Sequence, residues 1–265
     1  MGADIKALRS RIKSVESTMH LTKAMGLVAS SKIRHASISA ENSRAYRDSL
    51  LDVMNTLLSC RECRRSPYLR RSGTRLKLIV VAGDRGMAGG YNSNVFRLAS
   101  QYEADELIPV GKRACERYSL PSISAESFSV QEAHKLSQRL CKEFLDGEYD
   151  LLGIVSTRYL SMLKQEAVFT PILPLELPEV KAGTAIFEPD ETAILDAAVP
   201  IYVSGMMLNA VREGFLCEVA SRRVAMDNAG KNASALTDEL KLEYNRARQS
   251  SITQEITEIV AGSTY

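Results

Sequence analysis

Residues 5–19 read IKALRSRIKSVESTM, with apolar side chains at Ile5, Leu8, Ile12, Val15 and Met19. The steps between them are 3, 4, 3 and 4, the spacing of a heptad seam on a helix. The same register continues through Thr22, Gly26, Ala29, Ile33, Ala36 and Ala40, so the seam passes from large to mostly small residues. No proline interrupts Ala3–Ser59, and none follows Ile201; all eight lie between Pro67 and Pro200. An unbroken helix of about 55–60 residues would be roughly 80–90 Å long, far beyond an ordinary globular helix. Gly26 costs a helix about 1 kcal/mol relative to alanine, which predicts a close approach of a second backbone there.

That second backbone is expected from the other end of the chain. Ala229, Ala233, Leu236, Leu240, Tyr244, Ala247 and Ser251 form a stripe whose repeat is eleven residues, nearly straight on a helix. Mixed periods suit two helices that wrap gently, and antiparallel pairing is expected if both leave the same edge of a central domain. The reading is a rod with a small domain on its side, divided into 1–66, 67–193 and 194–265. The fold class is α/β: a long antiparallel two-helix coiled coil formed by both termini, plus a central Rossmann-like domain.

The middle of the chain alternates. Strands are expected at Leu76–Ala82, Glu106–Val110, Ser122–Ser127 and Asp150–Ser156, and helices at Tyr91–Tyr102, Lys112–Tyr118 and Val130–Leu145. Such alternation implies a parallel sheet with helices on its faces. Val168–Leu175 contains Pro171 and Pro174 and belongs at a sheet edge or outside the sheet. Residues 177–193 read as a loop, and the helical pattern resumes at Ala193.

Composition excludes some classes. No apolar run approaches 18 residues, so no membrane span is expected, and the N-terminus lacks the apolar region of a secretory signal. Five scattered cysteines fit a reducing compartment. Net charge is only +2, yet Arg61, Arg64, Arg65, Arg70, Arg71, Arg75 and Lys77 crowd together against Glu62 alone. Such a cluster fits either a solvated collar or an acidic partner surface or lipid. Nucleic acid is not expected, because no aromatic stacking motif is interleaved. The arginines near Cys60 and Cys63 would lower a thiol pKa if that pair were redox-active; the alternative is two unrelated thiols.

The stretch GDRGMAGG (Gly83–Gly90) follows the first strand and precedes a helix, where a glycine turn can cradle phosphate. It lacks the lysine of a P-loop and the spacing of a dinucleotide turn. Gly83, Gly86, Gly89 and Gly90 are therefore read as structural, with a nucleotide-binding enzyme as the competing reading. No nucleophile–base, H-E-x-x-H or paired-carboxylate pattern occurs, so the chain reads as non-catalytic, with no cofactor and no metal.

The sequence IKSVESTMHLTKAMGLVASSKIRHA (Ile12–Ala36) strongly resembles the start of the γ subunit family of F-type ATP synthases, and Val224–Gly262 resembles that family's C-terminal helix. GDRGMAGGYN (Gly83–Asn92) is similar to its [ST]-D-R-G-L-x-G-G-x-N turn, with Gly83 in place of Ser or Thr, and FEP at Phe187–Pro189 also fits. The resemblance implies a central stalk, one copy per complex, inside a hexamer of α and β subunits. Its foot would meet the ε subunit and the membrane c-ring, on the cytoplasmic face of a bacterial membrane. It places Lys23 and Met25 against an acidic β loop. Arg248 and Gln249, extended by Thr253 and Glu255, would meet a β catch loop. Ile252, Ile256, Ile259 and Val260 would form a bearing tip, and Phe187, Glu188 and Pro189 would lie near the rotor foot. The chain lacks the cysteine-bearing insertion of chloroplast members, and Gly26 stands where a larger residue is usual. A passive coiled-coil tether, with the basic collar on lipid, is the third reading.

Overall fold

The computed structural model describes residues 2–70, 73–178, 187–188 and 190–262. Among them, two long helices, α1 (Gly2–Ser59) and α5 (Glu191–Gly262), bracket four strands and three shorter α-helices. The strands are β1 (Leu76–Val81), β2 (Glu106–Val110), β3 (Leu151–Tyr159) and β4 (Gln165–Leu173). The helices between them are α2 (Tyr91–Ala99), α3 (Lys112–Tyr118) and α4 (Val130–Leu145). The chain divides into two compact units, residues 1–29 with 223–265 and residues 30–222. Both long helices contribute to each unit.

In the first unit the helices run antiparallel. Glu16 pairs with Lys241 at 2.9 Å, and Gly26 lies opposite Met226. Every seam position from Ile5 to Ala29 is at least partly buried, as is every stripe position from Ala229 to Ser251. The expected pairing surface is therefore the one used, because apolar side chains at that spacing share one helix face. The expected tightness at Gly26 is not found. A Cβ there would sit 3.4 Å from the Arg223 guanidinium and 3.7 Å from Met226 Cβ, ordinary contact distances. Gly26→Ala should accordingly stabilise the chain by up to about 1 kcal/mol, since alanine is the better helix former. A higher urea midpoint in chemical denaturation checks this; a loss of stability would mean that the helices do need the glycine.

In the second unit the sheet order is β2-β1-β3-β4. β1 is parallel to β2 and β3, while β4 is antiparallel to β3. The sheet is thus mixed, correcting the all-parallel expectation; β4 is an edge strand, and Pro171 and Pro174 lie at its end. Chain between β1 and β2 packs α2 on one face, against Leu78, Val80 and Val155. Chain between β2 and β3 packs α4 on the other, with Ile79, Ile154, Leu140 and Phe144 in a larger core. Leu57 and Met54 of α1 and Leu195, Val203 and Met207 of α5 complete that core. Here too the long helices are antiparallel, with Arg44 Nη2 3.0 Å from Glu213 Oε1.

No strand forms at Ser122–Ser127. The Ala125 and Glu126 N–H groups and the Ser124 hydroxyl donate to the Asp84 carboxylate instead, which leaves none of these donors for a ladder. The expectation that no segment spans a membrane meets one apolar stretch, in α5. One 18-residue window of α5 reaches a mean hydropathy of 1.5, long and apolar enough to cross a membrane, and 61% of it is buried within the protein. That burial identifies a core helix, filling the space over the sheet. α5 begins two residues before Ala193 and carries Pro200 in its first turns, at the cost of one backbone hydrogen bond.

Candidate functional site

The glycine turn is built around a carboxylate. Glu218, on α5, is 1% exposed. It accepts the N–H of Asp84 at 3.1 Å and that of Arg85 at 3.2 Å. One α-helical turn further on, Arg222 pairs with Glu218 and donates to the carbonyls of Arg85 and Gly86 at 3.2 Å. Successive N–H groups in a turn make an anion cradle, and the protein's own carboxylate fills this one. A nucleotide phosphate has no place there, which removes the main argument for the nucleotide-binding enzyme. A Cβ at Gly83 would lie 2.7 Å from Glu218 Cδ, and Gly89 has φ of +57°, so both glycines have local reasons to be present.

Asp84 fastens the other side of the turn. Burial would raise its carboxyl, but bonds from the Ser124 hydroxyl and from the N–H groups of Glu126, Lys112 and Ala125 outweigh burial and hold it below the ordinary carboxylate range. The turn is therefore a clasp between β1, the segment after α3, and α5.

The residues assigned to partner contacts lie on the surface of the first unit. Lys23, Arg248, Gln249, Thr253 and Glu255 are exposed, and Met25 is half-buried. The Thr253 hydroxyl donates to the Gln249 carbonyl at 2.9 Å, and Ser251 donates to Glu255 at 3.3 Å. Lys23 and Arg248 have no side-chain partner among the described residues. Beyond the last stripe residue, Ile252, Ile256, Ile259 and Val260 occupy one face at spacings of 4, 3 and 1, and are 43–71% exposed. Solvent exposure of such a row of large apolar side chains is unfavourable.

One feature escaped the sequence. A groove of about 390 Å³ runs beside Lys23, between Gly26 and Gly230, and gathers Arg223 and Lys231 from α5 against the single acid Asp227. Only the facing glycines could have signalled it. Leu21, Leu27 and Val28 are also exposed, by 56–61%; as large apolar residues off the seam, they were visible in the register. Phe187 packs partly against the core of the second unit, Glu188 is exposed, and Pro189 lies outside the described residues.

The basic cluster disperses. Lys77 is buried and bonded to Glu106 and Glu143 at 2.7 and 2.8 Å, and Arg75 is held by Asp150 at 3.0 Å. Arg61, Arg64, Arg65 and Arg70 remain exposed. The thiols are not activated. Burial first, then Cys60 and Glu191, pushes Cys63 up to about 11, and burial raises Cys60, so the arginines do not set these pKa values. The described residues contain no group of three or more metal-ligating side chains.

What these features define is an α/β protein with a long antiparallel helix pair, exposed basic and apolar side chains on that pair, and a glycine turn closed by its own carboxylate. The ATP synthase family model matches residues 4–264. The ATP synthase gamma chain of Ruminococcus albus is 37% identical, with 98% of each chain covered. That of Clostridium novyi is 35% identical, over 99% of this chain and 98% of the relative. The fold matches a chain from the rotor of the Euglena gracilis mitochondrial ATP synthase, with a TM-score of 0.67 at 20% identity, covering 95% of this chain and all of that one. The chain belongs to the ATP synthase gamma chain family.

Proposed function

We propose that the chain is the central rotor shaft of a rotary F-type ATP synthase. Ion flow through a c-ring turns its foot, residues 67–193, including Phe187 and Glu188, with the ε subunit alongside. The helices of 1–66 and 194–265 carry that rotation into a hexamer of α and β subunits. Ile252, Ile256, Ile259 and Val260 turn in an apolar bearing. Lys23, Met25, Arg248, Gln249, Thr253 and Glu255 contact β. The shaft performs no chemistry itself. Its faces differ, so each β subunit meets different contacts at each angle, and the conformation that binds best is populated. The complex works at the cytoplasmic face of a bacterial membrane.

The observation that carries this reading is the exposed apolar row beyond the paired stripe, directly after an Arg248 that no neighbour among the described residues satisfies. A passive tether needs neither. The test is reconstitution with separately purified α and β subunits. The expected product contains one copy of this chain per six subunits, with ATPase activity that depends on it. Failure to join any hexamer, with the chain folded, overturns the proposal.

A further inference from the structure

We infer that a cavity inside the second unit binds a small organic anion through three arginines. Ser156 and Arg158 of β3 and Thr170 of β4 share one face of the sheet. Over that face α1 and α5 leave a cavity of about 430 Å³. Arg44 and Arg47 border it from α1, and Asn209 and Glu213 from α5. All of these residues belong to the same compact unit. The volume lies within the range of sites that take small organic ligands.

The charge is unbalanced. Arg44 and Arg47 stand three residues apart on one face of α1, and Arg158 faces them from the sheet side, so three guanidiniums border one space. Among the described residues Glu213 is the only acid that lines it. Its Oε1 already accepts Arg44 Nη2 and the Tyr159 N–H, each at 3.0 Å. Arg47 is bonded to Asp48, which lies outside the lining. Arg158 has no partner among the described residues; Glu166 stands opposite it across the ladder but forms no ion pair with it. Guanidiniums left with open N–H groups bind an oxyanion through two parallel bonds.

Two buried side chains point to a ligand independently of the arginines. Ser156 is 7% exposed, and its hydroxyl has no partner among the described residues. That hydroxyl is not sealed in the packing; it opens on the cavity. Asn209 is also 7% exposed and makes no side-chain hydrogen bond among the described residues. Its oxygen is sealed, but its NH2 reaches the cavity. Buried donors left open are uncommon, and both of these border the space that the arginines surround. Leu51, Ile154, Val168 and Met206 add apolar wall. The matching ligand has an oxyanion head, phosphate or carboxylate, on a short apolar body. Such a ligand would tie both long helices to β3 and β4, and it depends on no part of the rotor reading.

Isothermal titration calorimetry of the full chain with phenyl phosphate and with benzoate tests this. Saturable one-to-one binding of at least one probe is expected, tighter than that of inorganic phosphate, which lacks the apolar body. Arg158→Ala should weaken it about tenfold, the worth of one charge-assisted hydrogen bond. Arg158→Lys keeps the charge without the planar fork and should restore only part of the affinity. Ser156→Ala should weaken binding about threefold, as for one neutral hydrogen bond. The urea midpoints of these variants should stay at the wild-type value, because neither side chain is bonded to the rest of the protein. Tighter binding of phenyl phosphate would assign the head to a phosphate, and tighter binding of benzoate to a carboxylate. Absence of saturable heat with both probes, or an affinity that Arg158→Ala leaves unchanged, overturns the inference and leaves a water-filled cavity.

Discussion

Glu218→Ala should destabilise the second unit by about 3–5 kcal/mol, the usual cost of removing one partner from a buried ion pair. The variant leaves three kinds of group behind. The Asp84 and Arg85 N–H groups lose their acceptor. Arg222, only 8% exposed, keeps its charge without a counter-ion. The space against Gly83 empties. Three bonds from Arg222 to the two carbonyls survive, so part of the cation's solvation is retained. Glu218→Gln keeps the shape and can keep an oxygen on Arg222 and the Arg85 N–H, but its NH2 then faces the Asp84 N–H, so it should fall between alanine and wild type. Removing both charges, as in Glu218→Leu with Arg222→Met, should recover much of the loss, because no orphan cation remains. Urea unfolding followed by circular dichroism measures all of these, and the coupling between the two positions comes from the double-mutant cycle. A cost below about 1 kcal/mol for Glu218→Ala would mean that the clasp is not held by this pair.

The clasp also marks the boundary of what the sequence could reveal. The heptad seam from Ile5 and the stripe from Ala229 were legible because burial along a helix repeats with the helix itself, so spacing alone selects the buried face. The strands Leu76–Val81 and Leu151–Tyr159 were legible because they are covered on both faces and read as apolar runs. Glu218 was not legible. On a helix a glutamate with an arginine four residues on reads as a surface ion pair, and its partners in the glycine turn lie more than 130 positions away. The β3–β4 hairpin failed for a local reason. Its turn, Ser161-Met162-Leu163-Lys164, contains no Gly, Pro, Asn or Asp, and is held by bonds between Ser161 and Lys164. Gly26 was legible as an oddity but misjudged, because a sequence shows that a glycine is present and not how near the next backbone comes. The surfaces at Arg248 and Ile256 rested on resemblance; periodicity gives the buried stripe and is silent about which exposed residues a partner will use.

Arg248→Ala combined with Gln249→Ala should lower the ATPase rate of a hexamer reconstituted with this chain by roughly tenfold or more, while one copy still assembles per complex. The magnitude follows from the contact type. A hydrogen bond to a charged group contributes about 1.5–3 kcal/mol, and each 1.4 kcal/mol changes a rate about tenfold. If the contact forms only at some shaft angles, its loss falls on the conformational step and not on assembly. In the proposed shaft, assembly would rest on other surfaces, among them the exposed row from Ile252 to Val260. Neither side chain holds the fold: both are exposed, and Arg248 has no partner among the described residues. The stability of the isolated chain should therefore stay within about 0.5 kcal/mol of wild type, as for other surface substitutions. That control separates a lost contact from a damaged helix. Arg248→Lys keeps the charge but not the planar fork, so it should restore only part of the rate if the partner is held by two parallel bonds. An unchanged ATPase rate in the double variant, with normal assembly, would remove these residues from the contact and return the paired helices to the role of a tether.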